Sequence, residues 1–137
     1  PSKKILKLAY LGVPPIMNDL YSYIEERGAK VVFNEVQREF AFPRHAKAKN
    51  IFEQYLNYTY PYGIEFRIKN LEKDLADRDV QGIIHYTQKF CHRALDNIVL
   101  KEKLPYPLLN IEADRESVLD ERTKLRLDAF IDMLGDM

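Results

Sequence analysis

The alternation of apolar and polar positions changes period several times along the chain, and the changes mark its elements. Ile5-Leu6-Lys7-Leu8-Ala9-Tyr10-Leu11 is short, nearly continuous in apolar residues, and stops at Gly12. That pattern predicts a first strand covered on both faces. Gly12-Val13-Pro14-Pro15 then interrupts it with prolines that cannot donate to a ladder. Asn18 or Asp19 can cap a helix whose apolar positions Leu20, Tyr23 and Ile24 share a face, and Gly28 stands where a helix end favours glycine. Lys30-Val31-Val32-Phe33-Asn34 predicts a second strand. These elements make one βαβ unit with the right-handed crossover that such units adopt.

Glu35 to Pro61 is less regular: Val36, Phe40 and Phe42 lack a clean period, and Pro43 halts any helix there. Ala46 to Tyr58 reads as a helix with Ile51, Phe52, Tyr55 and Leu56 on one side. Tyr55, Tyr58, Tyr60 and Tyr62 surround Pro61 and Gly63. Their rings either pack over the end of the sheet or wall a pocket. Ile64 to Asp77 is the clearest amphipathic helix, with Ile64, Ile68, Leu71 and Leu75 at near-fourfold spacing. Its charges, Arg67, Lys69, Glu72, Lys73, Asp74, Asp77 and Arg78, read as a solvated face.

Gly82-Ile83-Ile84-His85-Tyr86 predicts a third, buried strand. It breaks into Thr87-Gln88-Lys89, and a helical pattern resumes at about Phe90 and continues to Lys103, with Leu95, Ile98 and Val99 inward. Pro107 to Ile111 predicts a fourth strand, which Pro107 suits as its first residue. A last helix spans roughly Leu119 to Leu134, with Leu119, Leu127, Phe130, Ile131 and Leu134 apolar. Strands alternating with helices predict an α/β fold, a four-stranded parallel sheet with helices on both faces. The expected strand order is 2-1-3-4, that of a flavodoxin-like or Rossmann-like sheet, with its switch point between strands one and three. Such an order gathers Gly12-Val13-Pro14, the Tyr86 to Cys91 loop and the Glu112 to Arg115 loop at one edge.

No repeat, low-complexity tract or linker divides the chain, so residues 1–137 read as a single domain. Its hydrophobic content of 46% is ample for one core. Lys plus Arg and Asp plus Glu number 21 each, which leaves no basic excess for nucleic-acid binding. No apolar run approaches the length of a membrane span, and no signal peptide is visible. The first residue is Pro1 rather than a methionine, as in a processed chain or a piece excised from something longer.

The single cysteine, Cys91, excludes an internal disulfide. Two readings of it stand: an inert small apolar side chain, or a reactive or ligating thiol. Its position favours neither over the other, because it follows a polar break and precedes His92-Arg93 at the expected helix start. A phosphate loop is set aside, since no Gly-rich fingerprint follows the first strand. One Cys and three scattered His lack zinc-ligand spacing. His85 reads as a satisfied core histidine and His45 as a loop residue. A Cys-His nucleophile from Cys91 with His85 or His92 is possible, although sequence neighbours do not face each other on a helix. Glu112 and Asp114, with Arg115 and Arg122 nearby, read as a salt-bridged loop. A thiolate at a helix start can also be one ligand of an iron–sulfur cluster whose other ligands come from another domain or chain.

Several stretches together resemble a known family. They are Tyr58-Thr59-Tyr60-Pro61-Tyr62-Gly63, then Gly82-Ile83-Ile84-His85-Tyr86 leading to Phe90-Cys91-His92-Arg93, then Leu109-Asn110-Ile111-Glu112-Ala113-Asp114-Arg115, and Leu119-Asp120-Glu121-Arg122-Thr123. In order and spacing the chain resembles, from Gly12 to Leu134, the C-terminal domain of the 2-hydroxyacyl-CoA dehydratases, a family similar to the ATP-dependent benzoyl-CoA reductases. The resemblance implies that Cys91 ligates a [4Fe-4S] cluster, with further ligands in an N-terminal domain outside this chain. It also implies a second homologous subunit and a separate ATP-dependent iron–sulfur activator that delivers one electron. The electron would turn the thioester carbonyl of an acyl-CoA into a ketyl radical, from which the 2-hydroxyl leaves. An anaerobic cytoplasm is the implied setting. Tyr62, Tyr86, Gln88, His92 and, less directly, Glu112 are the candidates for pocket walls. The alternatives are a non-catalytic docking domain of an orphan relative, a reductase-type subunit, and a simple thiol enzyme.

Overall fold

A computed structural model of the chain describes residues 5–41, 47–58 and 63–137. The apolar run at the start forms β1, Leu6–Gly12, and Ala29–Asn34 forms β2. β3 is Gly82–Gln88 and β4 is Leu108–Ala113. All pairings are parallel, and the order is β2-β1-β3-β4, as the alternation of elements predicts. β1 and β3 are therefore central, which is why their sequences are apolar on both faces.

Two cores result, one on each side of the sheet. On one side α1, Leu20–Glu26, and α6, Glu121–Gly135, contribute Leu20, Ile24, Leu127, Phe130, Ile131 and Leu134 against Leu8, Tyr10, Ile84 and Tyr86. On the other, α4, Ile64–Ala76, and α5, Asp96–Lys103, place Leu71, Leu75 and Leu100 against Ala9, Leu11 and Ile83. The chain reverses its winding between β1 and β3, and the loops after these strands diverge there.

Elsewhere the structure departs from the sequence reading. Glu35–Phe40 is a helix, α2, started by the Asn34 side chain accepting from the Gln37 N–H at 3.1 Å. One short turn set by a cap needs no long apolar period, so pattern alone missed it. α3 begins at Ile51 and ends at Tyr58, five residues shorter than the helix expected from Ala46. Its apolar side is not covered: Ile51, Phe52, Tyr55 and Leu56 are all exposed. β3 continues through Thr87 and Gln88, and β4 through Glu112 and Ala113, because the strands pair to their ends, Thr87 with Glu112 and Gln88 with Ala113. The helix expected from Phe90 is instead a 3-10 turn, His92–Leu95, followed by α5. Among the described residues no helix is long and apolar enough to cross a membrane.

Candidate functional site

β1 and β3 end side by side, with Gly12 in register with Tyr86. Gly12 has φ +97°, and a Cβ there would lie 2.1 Å from the Tyr86 carbonyl oxygen. Only glycine lets the chain leave β1 this closely against β3. A cleft opens at that point, lined by Gly12, Val13, Arg67, Thr87, Gln88 and Cys91, with His85, Tyr86 and Arg93 also on its walls. Its volume is about 40 Å³. That is room for two or three waters, far below the roughly 300 Å³ at which small-molecule pockets begin. An acyl group would need walls beyond these residues.

Beyond β3 the chain makes a tight turn. The Cys91 N–H donates to the Gln88 carbonyl at 3.0 Å, and Phe90, in the third position, has φ +64°. A positive φ belongs at that position in a type II turn, where glycine is usual. Phenylalanine there carries a strain of about 1–2 kcal/mol. The Phe90 ring contributes little in return, being 94% exposed. The turn is tied to β4 by the Lys89 N–H on the Ala113 carbonyl at 3.0 Å. Cys91 then stands as the cap of the 3-10 turn, its carbonyl accepting from the Ala94 N–H at 2.9 Å. Cys91 is partly exposed, lines the cleft and belongs to neither buried core.

Behind the cleft lies a charged network that the sequence reading did not find. Arg67 was read as part of a solvated face, yet it is only 3% exposed. Its Nε and Nη2 donate to the two oxygens of Glu35 at 2.6 and 2.7 Å, and its Nη1 donates to Asp96 Oδ2 at 2.9 Å. Glu35 Oε2 also accepts the Gly12 N–H at 3.0 Å. Asp96 Oδ2 accepts from Arg93 Nη1 at 3.1 Å. A signal was present in the sequence. Arg67 stands three residues after Ile64 and four before Leu71, which puts it on the apolar face of α4. Glu35 offered no such signal, since α2 itself was not visible.

His85 is fully buried, as expected, but it is only half satisfied. Its Nδ1 lies 3.3 Å from Asn97 Oδ1, an oxygen that can only accept, so Nδ1 carries the hydrogen. Its Nε2 is buried and without a partner among the described residues, as is Thr87 Oγ1. Burial, and then the Arg67 guanidinium, push this imidazole down to about 4. An unfolded chain would hold the proton up to the ordinary histidine value of about 6.5. Between those values the unfolded state binds more protons. His85 therefore supports folding fully above pH 6.5, and that support falls by up to about 1.4 kcal/mol per pH unit as pH drops toward 4. The Cε1 resonance of His85 should stay at its neutral position from pH 7.5 to 5; a midpoint near 6.5 would contradict this.

The remaining candidates separate. Tyr86 and Gln88 line the cleft with Cys91; the Tyr86 ring is buried and stacks on Tyr10 at 6.2 Å, while Gln88 is exposed. His92 and Glu112 are exposed and lie outside the cleft lining. Tyr62 and His45 fall outside the described residues. Among the described residues no hydrogen bond joins Cys91 to His85 or His92. The expected salt-bridged loop also takes another form, because the Asp114 and Arg115 N–H groups both donate to Glu116, at 2.9 and 3.0 Å. No group of three or more His, Cys, Asp or Glu side chains suited to a metal ion occurs among the described residues.

Comparison with known proteins adds the family. None of the curated proteins matches the chain. Residues 1–134 match the family described as 2-hydroxyglutaryl-CoA dehydratase, D-component. The match spans both halves of the sheet and the whole rim on which Cys91 sits. On that coverage the chain belongs to the 2-hydroxyglutaryl-CoA dehydratase D-component family.

Proposed function

We propose that this chain is the domain of a 2-hydroxyacyl-CoA dehydratase-type subunit that supplies one thiolate, Cys91, to a [4Fe-4S] cluster completed by ligands from outside residues 1–137. The observation that carries the reading is the position of the chain's one cysteine, partly exposed and lining the cleft at the ends of β1 and β3. The donor set fits one corner of such a cluster and no more, since no other ligand group gathers among the described residues. When bound, the cluster would supply one-electron chemistry at low potential to an acyl-CoA thioester, the start of a radical elimination of water.

The residues of this chain have simpler tasks. Cys91 binds iron, and the turn from Gln88 to Cys91 holds its sulfur at the rim. Gly12, Thr87 and Tyr86 line the cleft beside Cys91 and keep it small. Gln88 lines the exposed side, and the exposed His92 and Glu112 are offered to groups beyond this chain. Those groups belong to the rest of the subunit, to a second homologous subunit and to an ATP-dependent iron–sulfur activator in an anaerobic cytoplasm. Residues 1–137 alone are not expected to turn over substrate.

Cys91→Ser in the full-length parent tests the reading. Removing a direct ligand should lower iron affinity by more than the roughly tenfold lost on changing an outer-shell partner. Iron content equal to that of the unaltered protein would overturn the assignment. A second reading, a non-catalytic docking domain of an orphan relative, is favoured by the exposed apolar side of α3. It predicts that iron content does not respond to Cys91 at all.

A further inference from the structure

The Cys91 turn needs something to hold it. Phe90 sits in a conformation that bulky residues avoid, and its exposed ring provides no anchor. The 3-10 turn that follows spans only His92–Leu95, with none of its residues buried. Yet the residue after it, Asp96, is joined through Arg67 to Glu35, which is 1% exposed. Followed outward, the network joins five segments. Gly12 closes β1, Glu35 opens α2, Arg67 lies on α4, Arg93 is in the 3-10 turn and Asp96 opens α5.

Stability is a poor explanation for such an arrangement. Burying these charges is costly, and packed apolar side chains of similar volume often serve a fold as well or better. Geometry is a better one. The bidentate Arg67–Glu35 pair fixes the guanidinium in a single orientation, because a planar fork matches a carboxylate in one way. Its third donor, Nη1, then fixes Asp96, and Asp96 in turn holds Arg93, two residues from the thiol.

We propose that Glu35, Arg67 and Asp96 form a positioning clamp that sets the Cys91 turn on the strand ends, with Asp96 as the link between the buried pair and the turn. The clamp deepens the cluster-ligand reading, since it would decide where the sulfur is presented. Its own claim concerns the turn and can be measured without iron.

Asp96→Asn is the informative variant, because it leaves the Arg67–Glu35 pair in place and weakens only the link. In the chain as it stands, the Cys91 and Ala94 amides should exchange with solvent at least about tenfold faster, because Asp96 accepts charge-assisted hydrogen bonds from both Arg67 and Arg93. Alkylation of Cys91 should quicken as its half-covered sulfur is released. Ile84 in β3 should be unchanged, and Asp96→Glu should restore both rates. Unaltered rates at Cys91 and Ala94 would overturn the clamp. So would equal acceleration at Ile84, which would mean global loosening, or no recovery with Asp96→Glu. Iron in the full-length parent separates the two claims. If Asp96→Asn frees the turn while Cys91→Ser leaves iron intact, the clamp stands and the cluster reading falls.

Discussion

Gly12→Ala is expected to stop the chain folding, or to cost at least about 4 kcal/mol if it folds, a size reserved for outright structural conflict. The new Cβ would lie 2.1 Å from the Tyr86 carbonyl oxygen, which belongs to backbone in the central strand and cannot swing aside. It would also sit on a residue with φ +97°, where an L side chain is strained whatever the space around it. Moving β1 away from β3 would break the register Leu11 to His85 and Gly12 to Tyr86. It would also carry the Gly12 N–H off Glu35, leaving a buried carboxylate with fewer donors. Gly28 supplies the control. Its φ is +77°, but nothing lies within 4 Å of its Cβ position, so Gly28→Ala should cost only about 1 kcal/mol. Urea denaturation of the two variants separates torsional strain from collision. Equal midpoints would show that β1 and β3 do not approach as closely as described.

Arg67→Met comes next, with an expected loss of about 3–5 kcal/mol at neutral pH, the range for removing one partner of a buried ion pair. Methionine keeps an unbranched apolar stem, shorter than arginine's, and removes its donors. Glu35 is 1% exposed, so its carboxylate would be left in the interior beside Asp96 without the guanidinium that joins them. Asp96 would keep Arg93, but Glu35 would have no cation beside it among the described residues, at the cost of a buried unpaired charge. Two comparisons make the cause identifiable. Arg67→Lys keeps the charge but cannot make the two parallel bonds to Glu35, so it should recover only part of the loss. Adding Glu35→Gln to Arg67→Met removes the stranded charge and should recover most of it. Stability within about 1 kcal/mol of the unaltered chain for Arg67→Met alone would mean that the network is worth no more than a surface ion pair.

Most of the fold can be read from residue order. Leu8 to Leu11 and Ile83 to Ile84 are apolar without alternation, which happens when both faces of a strand are covered, so central parallel strands follow directly. Leu71 with Leu75, and Leu127 with Ile131 and Leu134, carry the helical spacing that the structure buries against the sheet. The handedness of the crossovers follows from general rules for parallel connections, whereas the strand order rests on analogy with flavodoxin-like sheets. Elements started by one side chain are less legible. α2 depends on the Asn34 cap and the burial of Glu35, and neither leaves a periodic trace. The 3-10 turn at His92 has the polar, helix-compatible composition of an α-helix start, and its hydrogen bonds alone distinguish it.

The site divides in the same way. The sequence alone determined that a single thiol follows the third strand, and in a parallel sheet that places it at the rim where ligands bind, because the carboxyl ends of all the strands lie on one side. It determined the family by the order of weak motifs from Gly12 to Leu134. Tertiary structure alone decided that Arg67 turns inward, that Glu35 and Asp96 meet it from helices far apart in the chain, and that His85 keeps one nitrogen unpaired beside the cleft. The physical reason is range. Apolar periodicity is a local property that each segment displays by itself, whereas a buried charge becomes tolerable only through partners that folding brings from elsewhere.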